Sequence, residues 1–322
     1  MWRRDGRGKM VWRLCVGIGL GLVGCGGGVQ AAEFADVSQS PAGFWDHWGD
    51  GQAEIAGYAL TQPRYGQLRN GRAVHISVTE DFTRKTRVKS DGGHGDEFPV
   101  IKLNAMRSFQ TGIYDYSTMT STFVPLDGSG ALGLPTKISF TAQEWCGMVS
   151  DLVRVDGDQA RYEGHSYFDG EADRSDELAL PAGTVFEDAM PLLGRGLAGV
   201  LLAAGESRQV PWVRPLLDHR FIHSNVVVGE ATLSRSGETS RVEVPAGVFQ
   251  AYSVSAAVTG GPTTTWWFAE AYPHRLVKWV RDDGEQGVLE GVIRDPYWQH
   301  SSNGDERLLE GLRPPKATAG EE

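Results

Sequence analysis

From residue 53 onward, apolar and polar positions alternate with a period of two, the mark of half-buried strands. The clearest run follows Asn70-Gly71, the strongest hairpin turn signal in the chain. There Val74, Ile76 and Val78 take one face and Ala73, His75, Ser77 and Thr79 the other. Residues 113–124 alternate again, with Tyr114, Tyr116, Thr118, Thr120 and Thr122 on a shared face, and β-branched and aromatic side chains suit a pleated surface. Further strands are expected at 53–60, 98–109, 136–143, 145–155 and 159–168. Others follow at 222–230, 240–244, 249–258, 263–270, 275–281 and 286–294. Asp156-Gly157, Gly260-Gly261-Pro262 and Asp283-Gly284 supply turns between them.

One segment breaks this period. Over 184–204, Val185, Phe186, Ala189, Met190, Leu193, Leu197, Val200 and Leu201 fall on a helical stripe, weakened by Gly194, Gly196 and Gly199 and stopped at Gly205. The fold expected is therefore mainly β. It is a curved antiparallel sheet or open barrel, with one apolar helix packed on its concave side. Residues 45–299 form one β-rich domain, and any division into two halves falls near 180–205. Residues 300–322 are polar and end in Pro314-Pro315 and Ala-Gly-Glu-Glu, the composition of a disordered tail with at most a helical turn at 307–312.

The opening of the chain carries a different signal. Arg3, Arg4, Arg7, Lys9 and Arg13 precede an apolar run from Leu14 to Val23, as in a secretory signal peptide over residues 1–24. The run is shorter than the roughly 20 residues of a membrane span. It closes on Leu22-Val23-Gly24-Cys25, which resembles the bacterial lipobox; the resemblance implies lipidation of Cys25. Gly26 stands where an aspartate would favour the inner membrane, so the expected location is the outer membrane, facing the periplasm. Val29-Gln30-Ala31 is an alternative cleavage site that would leave the protein soluble in the periplasm. Residues 25–44 read as a tether.

Composition narrows the partners. The chain carries a net charge of −10. Removing a leader with five basic residues and one acidic residue takes this to −14, a surface that repels nucleic acid. Of three cysteines, Cys15 lies in the leader and Cys25 at the lipobox, leaving Cys146 without a disulfide partner.

Two stretches carry a family resemblance. Trp48-Gly49-Asp50-Gly51, Pro63-Arg64-Tyr65-Gly66, Lys102-Leu103-Asn104, Thr111-Gly112-Ile113-Tyr114 and Gln143-Glu144-Trp145-Cys146-Gly147 resemble an uncharacterised family of exported bacterial proteins. Val244-Pro245-Ala246-Gly247-Val248-Phe249 and Trp266-Trp267-Phe268-Ala269 resemble a β-rich periplasmic domain of unknown function. In outline this arrangement is similar to outer-membrane lipoprotein carriers, a likeness of fold alone.

Candidate chemistry is sparse. Trp45, Trp48, Arg64, Tyr65 and Glu80 combine aromatics with charge, as a binding cleft does, and Leu193 and Leu197 would face an apolar ligand. Cys146 is a weak candidate nucleophile with His165 as its base; as a small buried residue beside Trp145 it needs no such role. His219 and His223, four apart, would share a helix face, but the surrounding residues read as strand, so no metal is assigned. Asp169, Glu171, Asp173, Asp176 and Glu177 form an acidic loop without the spacing of a calcium loop. No cofactor motif is present.

The reading that fits is a periplasm-facing lipoprotein, non-catalytic, that binds an apolar ligand such as a lipid or acyl chain. Beside it stand an assembly lipoprotein that binds another envelope protein, and a hydrolase using Cys146 or a carboxylate–His pair. Two or more acyl chains anchor a protein stably, at about 0.8 kcal/mol per buried methylene. Cys25→Ala is therefore expected to move the protein out of the membrane fraction or block its maturation. Unchanged fractionation and gel mobility would rule the anchor out.

Overall fold

The computed structural model describes residues 43–313. The expected signal peptide, Cys25, the expected tether up to residue 42 and residues 314–322 lie outside the described residues.

A short helix, α1 (Phe44–Trp48), leads into eight strands: β1 (Ala53–Arg64), β2 (Gln67–Thr83), β3 (Glu97–Thr111), β4 (Tyr114–Pro125), β5 (Lys137–Glu144), β6 (Gly147–Asp156), β7 (Gln159–Ser166) and β8 (Arg174–Ala179). The chain then crosses through β9 (Val185–Phe186) and a four-residue helix, α2 (Met190–Leu193), to β10 (Ser207–Val213) and α3 (Leu216–Ile222). It finishes with β11 (Val228–Arg235), β12 (Ser240–Val244), β13 (Gly247–Val258), β14 (Thr263–Ala269), β15 (Leu276–Arg281) and β16 (Gln286–Asp295).

All sixteen strands belong to one sheet, ordered 8-7-6-5-4-3-2-1-16-15-14-13-11-10-9, with β12 on β13. Only the β9–β10 pair is parallel. The two arms meet where the first strand pairs the last, from Ala53↔Asp295 to Thr61↔Gln286. The outer strands β8 and β9 do not pair, so the sheet is open. One cluster unites Tyr58 and Leu60 on β1, Leu103 on β3, Trp212 on β10, Val254 on β13, Phe268 on β14 and Trp279 on β15 with the crossing segment, Val185 to Leu202. A second packs α3, through Leu216 and Leu217, against Ile138, Phe140, Val153 and Tyr162 of β5–β7. Strands far apart in sheet order share these clusters because the sheet curls around the segment between its arms. Among the described residues no helix is long and apolar enough to cross a membrane.

The strands at 240–244 and 249–258 and the Asp156-Gly157 turn match the alternation closely. Four expectations do not hold. Asn70-Gly71 is not a turn, because β2 runs through it and the hairpin turns at Tyr65-Gly66, both with positive φ. A Cβ on Gly71 would lie 2.4 Å from the Ser108 carbonyl oxygen, so this glycine serves a close strand approach. The stripe at 184–204 yields only a 3-10 turn, Glu187–Ala189, and α2; Gly196 and Gly199 have positive φ, and turns follow. A Cβ on Gly194 would meet the Phe268 ring at 2.3 Å, so close packing overrides helix propensity. Residues 216–222 are helical, and the strand placed at 222–230 starts at Val228.

The fourth correction concerns the tail. Asp305–Leu312 forms a 3-10 helix laid across the outer face of β1 and β16, with Leu312 2 % exposed beside Ala53, Ile55 and Val78. Gly57 and Gly291, paired across the β1–β16 seam, make room for it. Their Cβ atoms would lie 2.3 Å from the Leu312 and Gly311 carbonyl oxygens respectively. Gly57→Ala and Gly291→Ala are each expected to cost about 1–3 kcal/mol by overpacking. Because both dislodge the same segment, urea denaturation of the double variant should show less than the sum of the two losses. Full additivity would separate the glycines from the strap.

Candidate functional site

The aromatic–charged group expected near one hairpin is spread over the length of β1. Trp45 is exposed on α1, while Trp48 is buried, its carbonyl accepting from Thr79 Oγ1. Arg64 and Tyr65 lie at the other end of β1, whose twelve residues span about 40 Å. Arg64 donates to the Phe221 carbonyl at 2.9 Å and stacks over Tyr65 and Phe221, a structural anchor for α3. Glu80 is paired with Lys102 at 2.5 Å. These five residues do not form one cleft.

Leu193 and Leu197 are both buried in the central cluster. Leu193 lines a cavity of about 310 Å³ between the crossing segment and β13. Val200, Leu201 and Leu202 complete the segment's side; Tyr252 and Val254 come from β13, and Arg235 from β11. Arg195 and His274 stand at its polar end. The wall is held by specific bonds. Tyr252 donates its hydroxyl to the Gly194 carbonyl at 2.9 Å, Arg235 donates to the Leu202 carbonyl at 3.0 Å, and Arg195 donates to the Pro273 carbonyl at 2.9 Å. Arg195 also pairs Glu54 at 2.9 Å, and Arg275 takes the other Glu54 oxygen at 3.0 Å. Burial pushes the Glu54 carboxyl up, but the two guanidiniums outweigh it and hold the group below its ordinary range.

On the other side of the crossing segment lies a second, smaller cavity of about 70 Å³, lined by His75, Arg107, Glu187, Asp188, Asp218, Arg281 and Glu285 among others. Glu285 pairs Arg107 at 2.9 Å and accepts from Trp279 Nε1. Asp218 pairs Arg281 at 2.7 Å and Arg214 at 2.8 Å. Glu187 and Asp188 differ. Glu187 accepts only from Trp212 Nε1 at 3.0 Å and Thr264 Oγ1 at 3.1 Å, and the Asp188 carboxyl only from the Leu216 backbone N–H at 3.1 Å. Burial, with Asp218 nearby, pushes Glu187 up to about 8 and Asp188 up to about 7. Glu285 moves the other way: burial raises it, but Arg107 and Arg281 bring it to about 2. Burial lowers His75, stacked on Trp279, to about 3, so it stays neutral.

Sequence reasoning missed this pocket. Its one local signal is Glu187-Asp188 interrupting the apolar stripe. The alternation in β2 set His75 on the face opposite Val74, Ile76 and Val78, and that face looks into this pocket.

The remaining candidates are peripheral. Cys146 is exposed in the two-residue β5–β6 turn, not buried beside Trp145, because the strand begins at Gly147. The Glu144 carboxylate beside it raises its thiol pKa, which disfavours the thiolate. His165 sits opposite Ser150 on β6 and contacts Asp173 at 2.8 Å, not Cys146. His219 is buried on α3 against Ser224, and His223 pairs Glu171 of the acidic loop. Among the described residues no three His, Cys, Asp or Glu side chains converge as metal ligands would.

No family model matches the chain, and no curated protein or solved structure matches it either.

The ionic pocket fixes a pH response. A carboxyl with a raised folded-state pKa holds a proton that the unfolded chain has lost, so stability falls as pH rises towards that value. His47, His75 and His219, all depressed by burial, act with the opposite sign until the unfolded imidazoles have lost their protons near pH 7. Between about pH 7 and 8 the slope belongs mainly to Glu187 and Asp188, on the order of 1 kcal/mol per pH unit. Urea midpoints across this range are expected to fall, and Glu187→Gln should flatten the fall. An unchanged slope in a folded variant would show that Glu187 ionises freely.

Proposed function

We propose that this chain is a periplasm-facing lipoprotein of the bacterial envelope that binds a small apolar ligand, such as an acyl chain, without transforming it. The observation that carries this reading is the cavity between the crossing segment and β13, walled by Leu193, Leu201, Leu202 and Val254. Such a segment, held at Gly194 and Leu202 by hydrogen bonds, forms a preorganised wall. The chain enters the domain beside this site. His47 on α1 meets Tyr272 ring to ring at 5.6 Å, and Tyr272 meets the cavity residue His274 at 5.8 Å. A lipid anchor on Cys25, nineteen residues before Phe44, would tether that end of the domain to the bilayer.

The assembly reading draws on a different feature. The β1–β2, β3–β4 and β5–β6 hairpins turn at the same end of the sheet, and each tip exposes a large side chain: Tyr65, Ile113 and Trp145. Such a rim suits a protein partner. The sheet edge suits one less well, since β8 is short and exposes Asp176 and Glu177. Cys146 and the exposed His165–Asp173 pair line neither of the two cavities described above.

The test is binding of a fluorescent medium-chain fatty acid to the mature protein. Saturable binding is expected, and Val200→Trp should weaken it. Val200 is 62 % exposed at the mouth, so the larger ring fills space without overpacking the core. Excluding two methylenes, at about 0.8 kcal/mol each, weakens affinity about ten-fold. A folded wild-type protein with no saturable binding would end the carrier reading and leave the rim.

A further inference from the structure

We infer that the ligand of the cavity is a medium-chain carboxylate, its anionic head taken by Arg235 and its chain lying along the crossing segment. The inference rests on the reading of this cavity as an apolar-ligand site and names the chemistry of the ligand's polar end.

Three observations point to an anion. First, the charged side chains lining the cavity are Arg195 and Arg235, and no Asp or Glu lines it, although the chain as a whole is acidic by ten charges. Second, Arg235 has no carboxylate partner. Its guanidinium rests 4.3 Å over the Tyr252 ring and donates to the Leu202 carbonyl. Third, the carboxylate paired with Arg195, Glu54, is already shared with Arg275. One buried acid thus faces two guanidiniums. A guanidinium drawn partly from water is costly unless paired, and Arg235 has no ion-pair partner among the described residues. A planar carboxylate suits a guanidinium fork, whereas an alcohol or an amine does not.

Size sets the rest. At about 30 Å³ for each water- or methylene-sized group, about 310 Å³ holds about ten of them. That admits a chain of eight to ten carbons and excludes a diacyl lipid buried whole.

The experiment compares decanoate, decanol and decyl phosphate by titration calorimetry on the wild-type mature protein. Decanoate is expected to bind about ten-fold or more tightly than decanol, as a charge-assisted contact requires. Arg235→Met, which keeps the apolar stem, should shrink that ratio to about two-fold, and Arg235→Lys should restore part of it. Decanol matching decanoate would overturn the inference while leaving the carrier reading intact. Tighter binding of decyl phosphate than decanoate would overturn the carboxylate assignment in favour of a phosphate head. Binding of none of the three would remove the carrier reading itself. If Arg235→Met fails to fold by circular dichroism, the wild-type ratio and Arg235→Lys decide the matter.

Discussion

The structure depends on the burial of Val185 to Leu202 between the two arms of the sheet. An antiparallel sheet of sixteen strands cannot stay flat, because strand twist accumulates along it. Once curled, its concave face needs filling, and the protein fills it with its own crossing segment. The segment is pinned from several directions. Trp212 and Thr264 hold Glu187, Thr122 Oγ1 donates to the Asp188 carbonyl, Tyr252 holds Gly194, and Arg195 reaches Glu54. Every named partner lies on a different strand, so the segment ties together strands from both arms of the sheet.

The same plug divides the interior into two chambers of opposite character. One is mostly apolar, with Arg195 and Arg235 but no carboxylate in its lining. The other holds four carboxylates and is balanced only for Asp218 and Glu285. Charges of this density inside a β protein oppose stability, since ionised groups lose their hydration on burial and recover it only through good pairing. Glu187 and Asp188 escape that cost by keeping their protons, which leaves the plug chemically responsive where it meets that chamber.

Much of the β architecture was legible because alternation is a local signal. A strand such as Ser240–Val244 needs only its own residues and flanking glycines to declare itself. Errors arose where a distant contact decided the outcome. Gly71 looks like a turn residue until Ser108 and Phe109 are brought against it, and Gly194 looks like a weak helical position until Phe268 is. The site was legible in the same partial way. Leu193 follows from periodicity, but Arg235 and Tyr252 reach the cavity from strands whose pairing no local pattern discloses. The inward position of His75 was not legible because alternation identifies two faces without saying which one looks inward, and in β2 both faces are covered, one by the plug and one by the C-terminal strap.

The strap over Gly57 and Gly291 has a consequence for how the chain is made. β1 pairs β2 almost at once, but its other edge waits for β16, more than two hundred residues later. Through that interval β1 offers a row of unpaired N–H and C=O groups, the kind of edge that recruits foreign strands. Contacts of such long sequence separation form slowly. The final helical turn then lies across the finished seam, so the last described part of the chain covers the junction of the first strand with the last. Synthesis order thus makes the earliest strand the latest to be protected. A nascent or truncated chain lacking β16 carries an open edge through its centre, a hazard of aggregation that the mature fold conceals.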